Sequence, residues 1–421
     1  MIGCCSFCPC FGISGDADDD LGRSNLDPVL LISGIGGSIL HSKRRRRGFQ
    51  TRVWVRIFLA DLEFKKKLWS IYNPKTGYTE ALDDDSEILV PDDDHGLYAI
   101  DILDPSVLTR LGLDRLTYPT LNKKDHLLLL LTKCLHLKEV YYFHDMINML
   151  LRCGYKKGIT LFGYGYDFRQ SNRIDKAMEG LKIKLQTAYK ASGGAPGCIN
   201  GSLLTGLQFV DGLESFFFVL RWTMHQLLVE SPSIYEMMAN PEFQWKKQPE
   251  IQVWRKQFKD KKTSSVVLET YGPTESITLF EEALRDNEVS YDGRTIAVPF
   301  NFSILQWATG TRQVLNNAQL PTGVSFYNIY GTCFDTPFDV CYGSETSPIN
   351  DLSDLCHTIP EYSYVDGDET VPAESAKADG FAAIARVGVA ARHRDLLRDK
   401  KYMAYQGKID AFPARVLRLT P

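Results

Sequence analysis

The apolar and polar positions along the chain predict an α/β protein. Residues 28–32 (PVLLI) form an apolar run that stops at the glycines of residues 33–37 (SGIGG), as a buried strand leading into a tight loop does. Apolar residues recur at helical spacing in residues 143–151, residues 161–166 predict a strand, and residues 175–190 predict an amphipathic helix. Strands that alternate with helices are typical of α/β folds.

The remaining regions add strands, a cap and long polar stretches. Residues 324–331 and 386–389 predict two further strands. Residues 205–300 are rich in aromatic side chains and predict a helix-rich cap or lid inserted into the α/β core. Residues 41–126 are polar and irregular, and their charge runs, such as the basic run at 43–47, are typical of solvated loops.

Composition excludes several classes of protein. The 421 residues include 48 Lys and Arg against 52 Asp and Glu, and 44% are hydrophobic, which excludes a disordered chain and a strongly basic nucleic-acid binder. No apolar run reaches the roughly 18 to 20 residues that cross a bilayer. The N-terminus has no basic segment followed by an apolar stretch, so we expect no secretory signal. We therefore expect a cytoplasmic protein, or one that is peripheral on a cytosolic membrane face.

Four of the ten cysteines lie within the first ten residues. A chain without an export signal should keep its thiols reduced, and so dense a cluster is typical of a disordered tail. S-acylation of Cys4 and Cys5, which would hold the protein at a membrane, is the functional alternative. Zinc is disfavoured because Cys8 and Cys10 are too close together for a second ligand pair. We predict no metal and no cofactor.

An aromatic and basic stretch runs from Trp54 through Phe58 to Trp69. Aromatic side chains interleaved with lysines suit a lipid interface, so these three residues are candidates for membrane contact. A helix that packs its aromatic face on the core is the structural alternative.

The candidate chemistry lies near the C-terminal end of the chain. Residues 365–371 (VDGDETV) place Asp366 and Asp368 in a turn after an apolar and aromatic stretch, and His393 follows beyond the strand predicted at 386–389. An acid followed by a histidine is the late half of a Ser-Asp-His hydrolase, in which the acid orients the imidazole and the imidazole takes the proton of the nucleophile. The structural alternative is an ordinary polar turn with an unrelated histidine.

The early half of such a hydrolase should be a nucleophile elbow, Gly-X-Ser-X-Gly or a close variant, between a buried strand and a helix. No serine of the chain has that context. Ser192 has two glycines after it, but the residues before it predict the polar end of a helix and not a buried strand. We therefore do not predict Ser192 as a nucleophile. The loop at 33–37 could aim backbone N–H groups at an oxyanion, although a glycine-rich turn is also an ordinary turn.

These residues are enough to recognise a family. The chain resembles the plant lecithin–cholesterol acyltransferase-like proteins, specifically the branch that acts as phospholipase A, which is an α/β-hydrolase group. The resemblance covers most of residues 25–400 and is carried by the segments 25–34, 54–58, 97–105, 143–147, 161–169, 194–198, 328–331 and 364–368.

The resemblance implies a serine acyl-enzyme mechanism on glycerophospholipids, with water or a sterol or lipid hydroxyl as the acyl acceptor and a phospholipid or membrane surface as the partner. Carried over by position, Asp368 matches the triad acid, with Asp366 as its rival, and His393 matches the base. The backbone N–H of Ile35 matches one oxyanion donor. The stretch from Trp54 to Trp69 matches the membrane-contacting region, and part of 213–260 falls where the family has its lid.

Three departures from the family pattern matter. The family has a strand, a Ser-centred elbow, a helix and another strand between the positions of Gly194 and Ala195, and here these two residues are adjacent. A unit of at least about 30 residues is therefore missing, together with the nucleophile and the second oxyanion donor. Residues 107–133 have no family counterpart, and the expected C-terminal helix gives way to a short tail after residue 400.

We therefore predict a mostly parallel α/β-hydrolase-like sheet whose central strand–elbow–helix–strand unit is deleted. The predicted parts are a Cys-rich and acidic tail at 1–24, a hydrolase-like domain at 25–400 and an atypical tail at 401–421; within the domain we predict a membrane-contact region at 52–100, an insertion at 107–133 and a cap or lid at 205–300. By family the protein is an O-acyltransferase or phospholipase A, and the chain as written is predicted to be inactive. A non-catalytic lipid-surface or partner-binding protein with the same fold is the alternative.

Overall fold

In a computed structural model the structure describes residues 26–45, 48, 50–54, 60–104, 140–174, 178–182, 197–200, 221–260, 263–320 and 325–398. The predicted tails at 1–24 and 401–421 and the predicted insertion at 107–133 lie outside the described residues, as do Phe58 and Ser192. All of these remain predictions.

The described residues contain eighteen strands and seven α-helices, besides short 3-10 turns and a helical stretch at 178–182. The strands are β1 Val29–Ile32, β2 Leu40–Arg44, β3 Gln50–Trp54, β4 Ser70–Asn73, β5 Tyr78–Ala81, β6 Ser86–Leu89, β7 Ile102–Asp104, β8 Val140–Tyr141, β9 Leu161–Tyr164, β10 Gly197–Asn200, β11 Ile251–Asp260, β12 Thr263–Tyr271, β13 Glu288–Tyr291, β14 Arg294–Ala297, β15 Phe326–Gly331, β16 Phe334–Tyr342, β17 Glu361–Gly367 and β18 Ala383–Val389. The helices are α1 Ala60–Lys67, α2 His144–Arg152, α3 Arg221–Leu228, α4 Pro232–Glu236, α5 Ser276–Ala283, α6 Phe302–Asn316 and α7 Ala373–Lys377.

The apolar run at the start of the chain forms the middle strand of a parallel sheet. β1 pairs in parallel with β9 on one side and with β10 on the other. Leu30 and Leu31 are fully buried, one toward each face of the sheet. A strand buried on both faces needs a continuous apolar sequence, which explains why this segment does not alternate with polar residues.

β15 and β18 also pair in parallel, and within the described residues they form a separate sheet from that of β1. The two sheets nevertheless share a core. Ile329 of β15 packs against the cluster that contains Val29 and Leu31 of β1, and so do Leu396 and Leu397. The C-terminal segment therefore folds back onto the central strand.

The remaining strands form antiparallel and mixed sheets around these two. β12, β11, β16 and β17 make a four-stranded sheet, and β3, β2 and β6 make a three-stranded one. β4–β5, β7–β8 and β13–β14 are two-stranded antiparallel pairs. Among the helices that are described, none is both long enough and apolar enough to cross a bilayer.

The prediction of a helix-rich region at 205–300 is wrong for its longest described elements. β11 and β12 form a hairpin of ten and nine residues. The β-branched and aromatic residues of this segment, such as Val253, Val266 and Val267, favour strands. In the aromatic stretch from Trp54 to Trp69, the described residues form the end of β3, the helix α1 and the two residues after it.

Candidate active site

Asp368 and His393 lie together at the ends of two strands. Asp368 follows β17 and His393 follows β18 by four residues. The carboxylate Oδ2 of Asp368 is 2.9 Å from Nδ1 of His393, and the backbone N–H of His393 donates to the carbonyl oxygen of Asp368 at 2.8 Å. The side chain and the main chain thus both hold the imidazole against this carboxylate.

The Asp368 carboxylate is also held by hydrogen bonds that do not involve the histidine. Its side chain is only 6% exposed, and its second oxygen, Oδ1, accepts hydrogen bonds from the backbone N–H groups of Thr370 at 3.0 Å and Val371 at 2.6 Å. The His393 side chain is 46% exposed, and no described residue bonds to its Nε2. In a hydrolase this is the nitrogen that faces the nucleophile.

Asp366, the rival for the triad acid, is engaged elsewhere. Its carboxylate accepts hydrogen bonds from the hydroxyl of Thr332 at 2.7 and 2.9 Å and from the backbone N–H of Cys333 at 2.6 Å. The Thr332 hydroxyl and the Cys333 N–H hold the pKa of Asp366 below its ordinary value. Of the two candidate acids, the structure brings Asp368 and not Asp366 to His393.

The end of β15 is packed tightly against this pair. A β-carbon on Gly331 would lie 2.4 Å from the β-carbon of Asp368 and 2.6 Å from the carbonyl oxygen of Ala391. Both distances are far below van der Waals contact, so only glycine allows the segments that carry Asp368 and His393 to approach β15 this closely.

The loop that contains Ile35 is shaped by glycines and held by neighbouring side chains. Gly36 has a φ of 69°, in the left-handed region that glycine adopts readily, and the N–H of Gly37 closes a turn onto the carbonyl of Gly34 at 3.1 Å. The indole N–H of Trp54 donates to the Gly36 carbonyl at 2.8 Å. The Ile35 N–H has no acceptor among the described residues.

A tyrosine that sequence reasoning missed supports the same loop. The hydroxyl of Tyr142 accepts the Gly34 N–H at 3.0 Å, and a β-carbon on Gly37 would lie 2.7 Å from the Tyr142 ring. Tyr142 lies two residues before α2, about a hundred residues from the loop in sequence. Its role comes from a long-range contact, and the only available signal was the glycines that make room for it.

Trp54 and Trp69 lie in the interior and not at a surface. They are 3% and 7% exposed, and the indole N–H of Trp69 donates to the carbonyl of Thr223 at 3.0 Å. Both belong to one core cluster with Phe64 and Leu68. The core alternative explains them, because both side chains are packed inside the protein and present no surface to a membrane.

No nucleophile is found beside His393 in the part of the chain that is described. None of the described serine hydroxyls bonds to its imidazole; those of Ser33 and Ser38 bond to each other at 2.6 Å in the glycine loop. No group of three or more His, Cys, Asp or Glu among the described residues is arranged to hold a metal ion.

Comparison with known proteins identifies the family of the chain. A sequence model of the lecithin:cholesterol acyltransferase family matches residues 50–223. The chain is 59% identical to "Phospholipase A(1) LCAT3" of Arabidopsis thaliana, over 94% of this chain and 92% of the relative. The chain belongs to the lecithin:cholesterol acyltransferase family. It is also 43% identical to "Lecithin-cholesterol acyltransferase-like 4" of the same plant, over 90% of this chain and 74% of the relative.

Membership of this family confirms the predicted fold class, which is α/β-hydrolase-like, and it places the chain among phospholipase and acyltransferase proteins that act on lipid acyl groups. The length of each alignment can be compared with the number of residues of this chain that it includes. The first extends over 437 positions but includes only 94% of the 421 residues here, so about forty of its positions have a residue in the relative and none in this chain. The second alignment gives about the same number.

Proposed function

We propose that this protein carries the acid, the base and one oxyanion donor of a serine acyl hydrolase or O-acyltransferase that acts on glycerophospholipids. The observation that supports it best is the Asp368–His393 pair, in which a buried and already oriented carboxylate accepts from Nδ1 of a half-exposed imidazole. A carboxylate at Nδ1 fixes the tautomer in which Nε2 can take a proton from a hydroxyl nucleophile.

On this proposal the nucleophile is missing from the chain as written, because no serine of the sequence has an elbow context. By the resemblance, the family's elbow falls between the positions of Gly194 and Ala195. About forty aligned residues of each relative have no counterpart here, and a strand–helix–strand unit of at least about 30 residues would fit within that number. Only a few residues after this junction, β10 pairs with the central strand β1.

With the elbow present, the chemistry would run through an acyl-enzyme. The serine oxygen attacks the ester carbonyl carbon while His393 Nε2 takes the serine proton, and the Ile35 N–H stabilises the developing oxyanion. The imidazolium then returns the proton to the departing lysophospholipid oxygen. Water or a lipid hydroxyl, deprotonated by His393, attacks the acyl-enzyme and releases a fatty acid or a new ester. The form of the protein that contains the elbow would act at a phospholipid surface, on the cytosolic side.

A graft tests this proposal. The segment of the Arabidopsis phospholipase that has no counterpart here is inserted between Gly194 and Ala195, and fatty acid release from phosphatidylcholine vesicles is compared for the grafted chain and the chain as written. We expect release only from the grafted chain. Release from the chain as written, or none from a well-folded grafted chain, would contradict the proposal. Sequencing transcripts across codons 190–200 shows whether a longer product is made.

A further inference from the structure

The hydroxyl of Tyr166 is buried without a partner. Its oxygen is shielded from solvent, and no described residue forms a hydrogen bond with it. The backbone N–H of Tyr166 donates to the hydroxyl of Ser38 at 3.0 Å, directly after the glycine loop, so the residue is firmly placed. A buried hydroxyl left unpaired costs about 1–3 kcal/mol. Such a group in an ordered region calls for a partner that is not part of the folded chain.

Tyr142 offers a second donor at the same place. Its oxygen accepts the Gly34 N–H, but no described residue accepts its proton. Burial raises the pKa of both tyrosines, and the nearby Tyr142 raises that of Tyr166 further. Both phenols therefore keep their protons at neutral pH. Each would be stabilised by donating a hydrogen bond to an acceptor.

The Ile35 N–H is the third unused donor. Ile35, Tyr142 and Tyr166 all pack against one core cluster, and Ile35 and Tyr166 follow the ends of β1 and β9 by three and two residues. Ligands of parallel sheets bind outside the carboxyl ends of the strands, so this is where a substrate would enter. Three donors without acceptors fit an oxygen atom of a ligand.

The negative charge of a nearby carboxylate distinguishes between a charged and a neutral oxygen ligand. The carboxylate of Glu236 is close enough to raise the pKa of Tyr166, and it would repel an anionic ligand. A neutral carbonyl fits better than a phosphate or a free fatty acid. We propose that the hydroxyls of Tyr142 and Tyr166 bind the ester carbonyl oxygen of the lipid substrate beside the Ile35 N–H. This assignment rests on the proposed function and adds two substrate-binding residues to it.

The test compares two lipids that differ only at the ester. Dihexanoylphosphatidylcholine and its diether analogue, which lacks the carbonyl oxygens, are titrated as monomers into the chain as written by calorimetry. The wild type should bind the ester lipid about three- to tenfold more tightly for each hydrogen bond formed. Tyr166→Phe and Tyr142→Phe should each reduce this preference, and the double variant should bind both lipids equally.

Tyr235→Phe is the matched control. The Tyr235 hydroxyl is also buried, but it donates to the Val229 carbonyl at 3.0 Å and accepts from the Asn301 N–H at 3.1 Å. Its loss should lower the thermal midpoint and leave the ester preference intact. Tyr166→Phe should leave the midpoint of the lipid-free protein unchanged or raise it.

Equal binding of the two lipids by the wild type, an ester preference that survives in the double variant, or a fall in the midpoint for Tyr166→Phe would each overturn the assignment. The same variants in the grafted chain give a second readout through KM for the ester lipid. If the grafted chain releases fatty acid but the tyrosine variants keep the ester preference, the proposed function stands without the two tyrosines. If the graft is inactive, the function itself fails.

Discussion

The indole N–H of Trp54 is bonded to the carbonyl oxygen of Gly36 at 2.8 Å, so a residue of the third strand holds the loop that follows the first. The ring behind that N–H packs in a tilted arrangement on Phe168, with 5.0 Å between the ring centroids. The aromatic stretch that suggested a lipid interface is, at this residue, a support for the candidate oxyanion loop.

Replacement of this tryptophan should therefore affect folding. Trp54→Ala should lower the free energy of unfolding by about 3–5 kcal/mol, because a large buried side chain is lost and leaves a cavity. Urea unfolding followed by circular dichroism measures this, with Tyr364→Ala, a 57% exposed aromatic, as a control expected within about 0.5 kcal/mol of the wild type. A stable Trp54→Ala variant that loses only vesicle binding would restore the membrane interpretation.

The ion pair of Asp167 and Arg169 should make stability depend on acid pH. Arg169 is 2% exposed, and its Nε and Nη2 contact the two carboxylate oxygens at 2.9 and 2.7 Å. Burial alone would raise the pKa of Asp167, but Arg169 lowers it below the ordinary value. A carboxyl group with a lowered folded pKa stabilises the protein above its unfolded pKa, and this contribution is lost as the pH falls through the folded value.

Asp167→Asn should therefore cost about 3–5 kcal/mol of unfolding free energy at neutral pH, because it leaves a buried arginine unpaired. The difference from the wild type should shrink as the pH falls below about 4, where Asp167 of the unfolded chain takes up its proton while the folded carboxylate stays charged. Denaturant titrations at neutral and acid pH measure both. Asp286→Asn, which breaks an exposed pair with Arg285, should change stability by less than about 1 kcal/mol. An Asp167→Asn penalty that is constant with pH would contradict the pairing.

The two neighbouring acids should differ sharply in the grafted chain. Asp368→Asn removes the carboxylate that orients His393 and should lower kcat for fatty acid release by about 10⁴-fold. Asp366→Asn breaks only the contacts with Thr332 and Cys333 and should cost less than about tenfold. Steady-state kinetics of the two variants decide the assignment, and a larger loss for Asp366→Asn would reverse it.

Gly331 should not tolerate a methyl group. In Gly331→Ala the new β-carbon would overlap Asp368 and the Ala391 carbonyl, so we expect a loss of about 1–3 kcal/mol in unfolding free energy and a displaced Asp368–His393 pair. Gly388→Ala, on the adjacent strand, would bring its β-carbon no closer than 3.2 Å to the Thr332 side chain, and it should be milder. Chemical denaturation and the pH profile of grafted-chain activity measure the two effects. Equal tolerance at both positions would contradict the packing.

Local patterns in the sequence predicted the parts that depend on neighbouring residues. The apolar run before the glycines became β1, the helical spacing at 143–151 became α2, and the turn after residue 365 carries Asp368. The family resemblance favoured Asp368 over Asp366, and the structure adds the physical reason, because Asp368 lies against His393 and Asp366 against Thr332. Tyr142 and Trp54 were missed as loop supports for the same reason, since their contacts span long stretches of chain.

The hairpin of β11 and β12 shows a different limit. The sequence predicts a helix-rich region there, but aromatic and β-branched residues also favour strands, and a two-residue connection pairs Ile251–Asp260 with Thr263–Tyr271. The deletion proposed at Gly194 could be recognised only against a family pattern, because a length of 421 residues is ordinary for an α/β protein.

The most direct test of the account is covalent labelling by a fluorophosphonate, which reacts with activated serines. The grafted chain should be labelled, its His393→Ala variant should not, and the chain as written should remain unlabelled. Labelling of the chain as written that His393→Ala abolishes would contradict the account, because it would show that Ser192 or another serine already present serves His393.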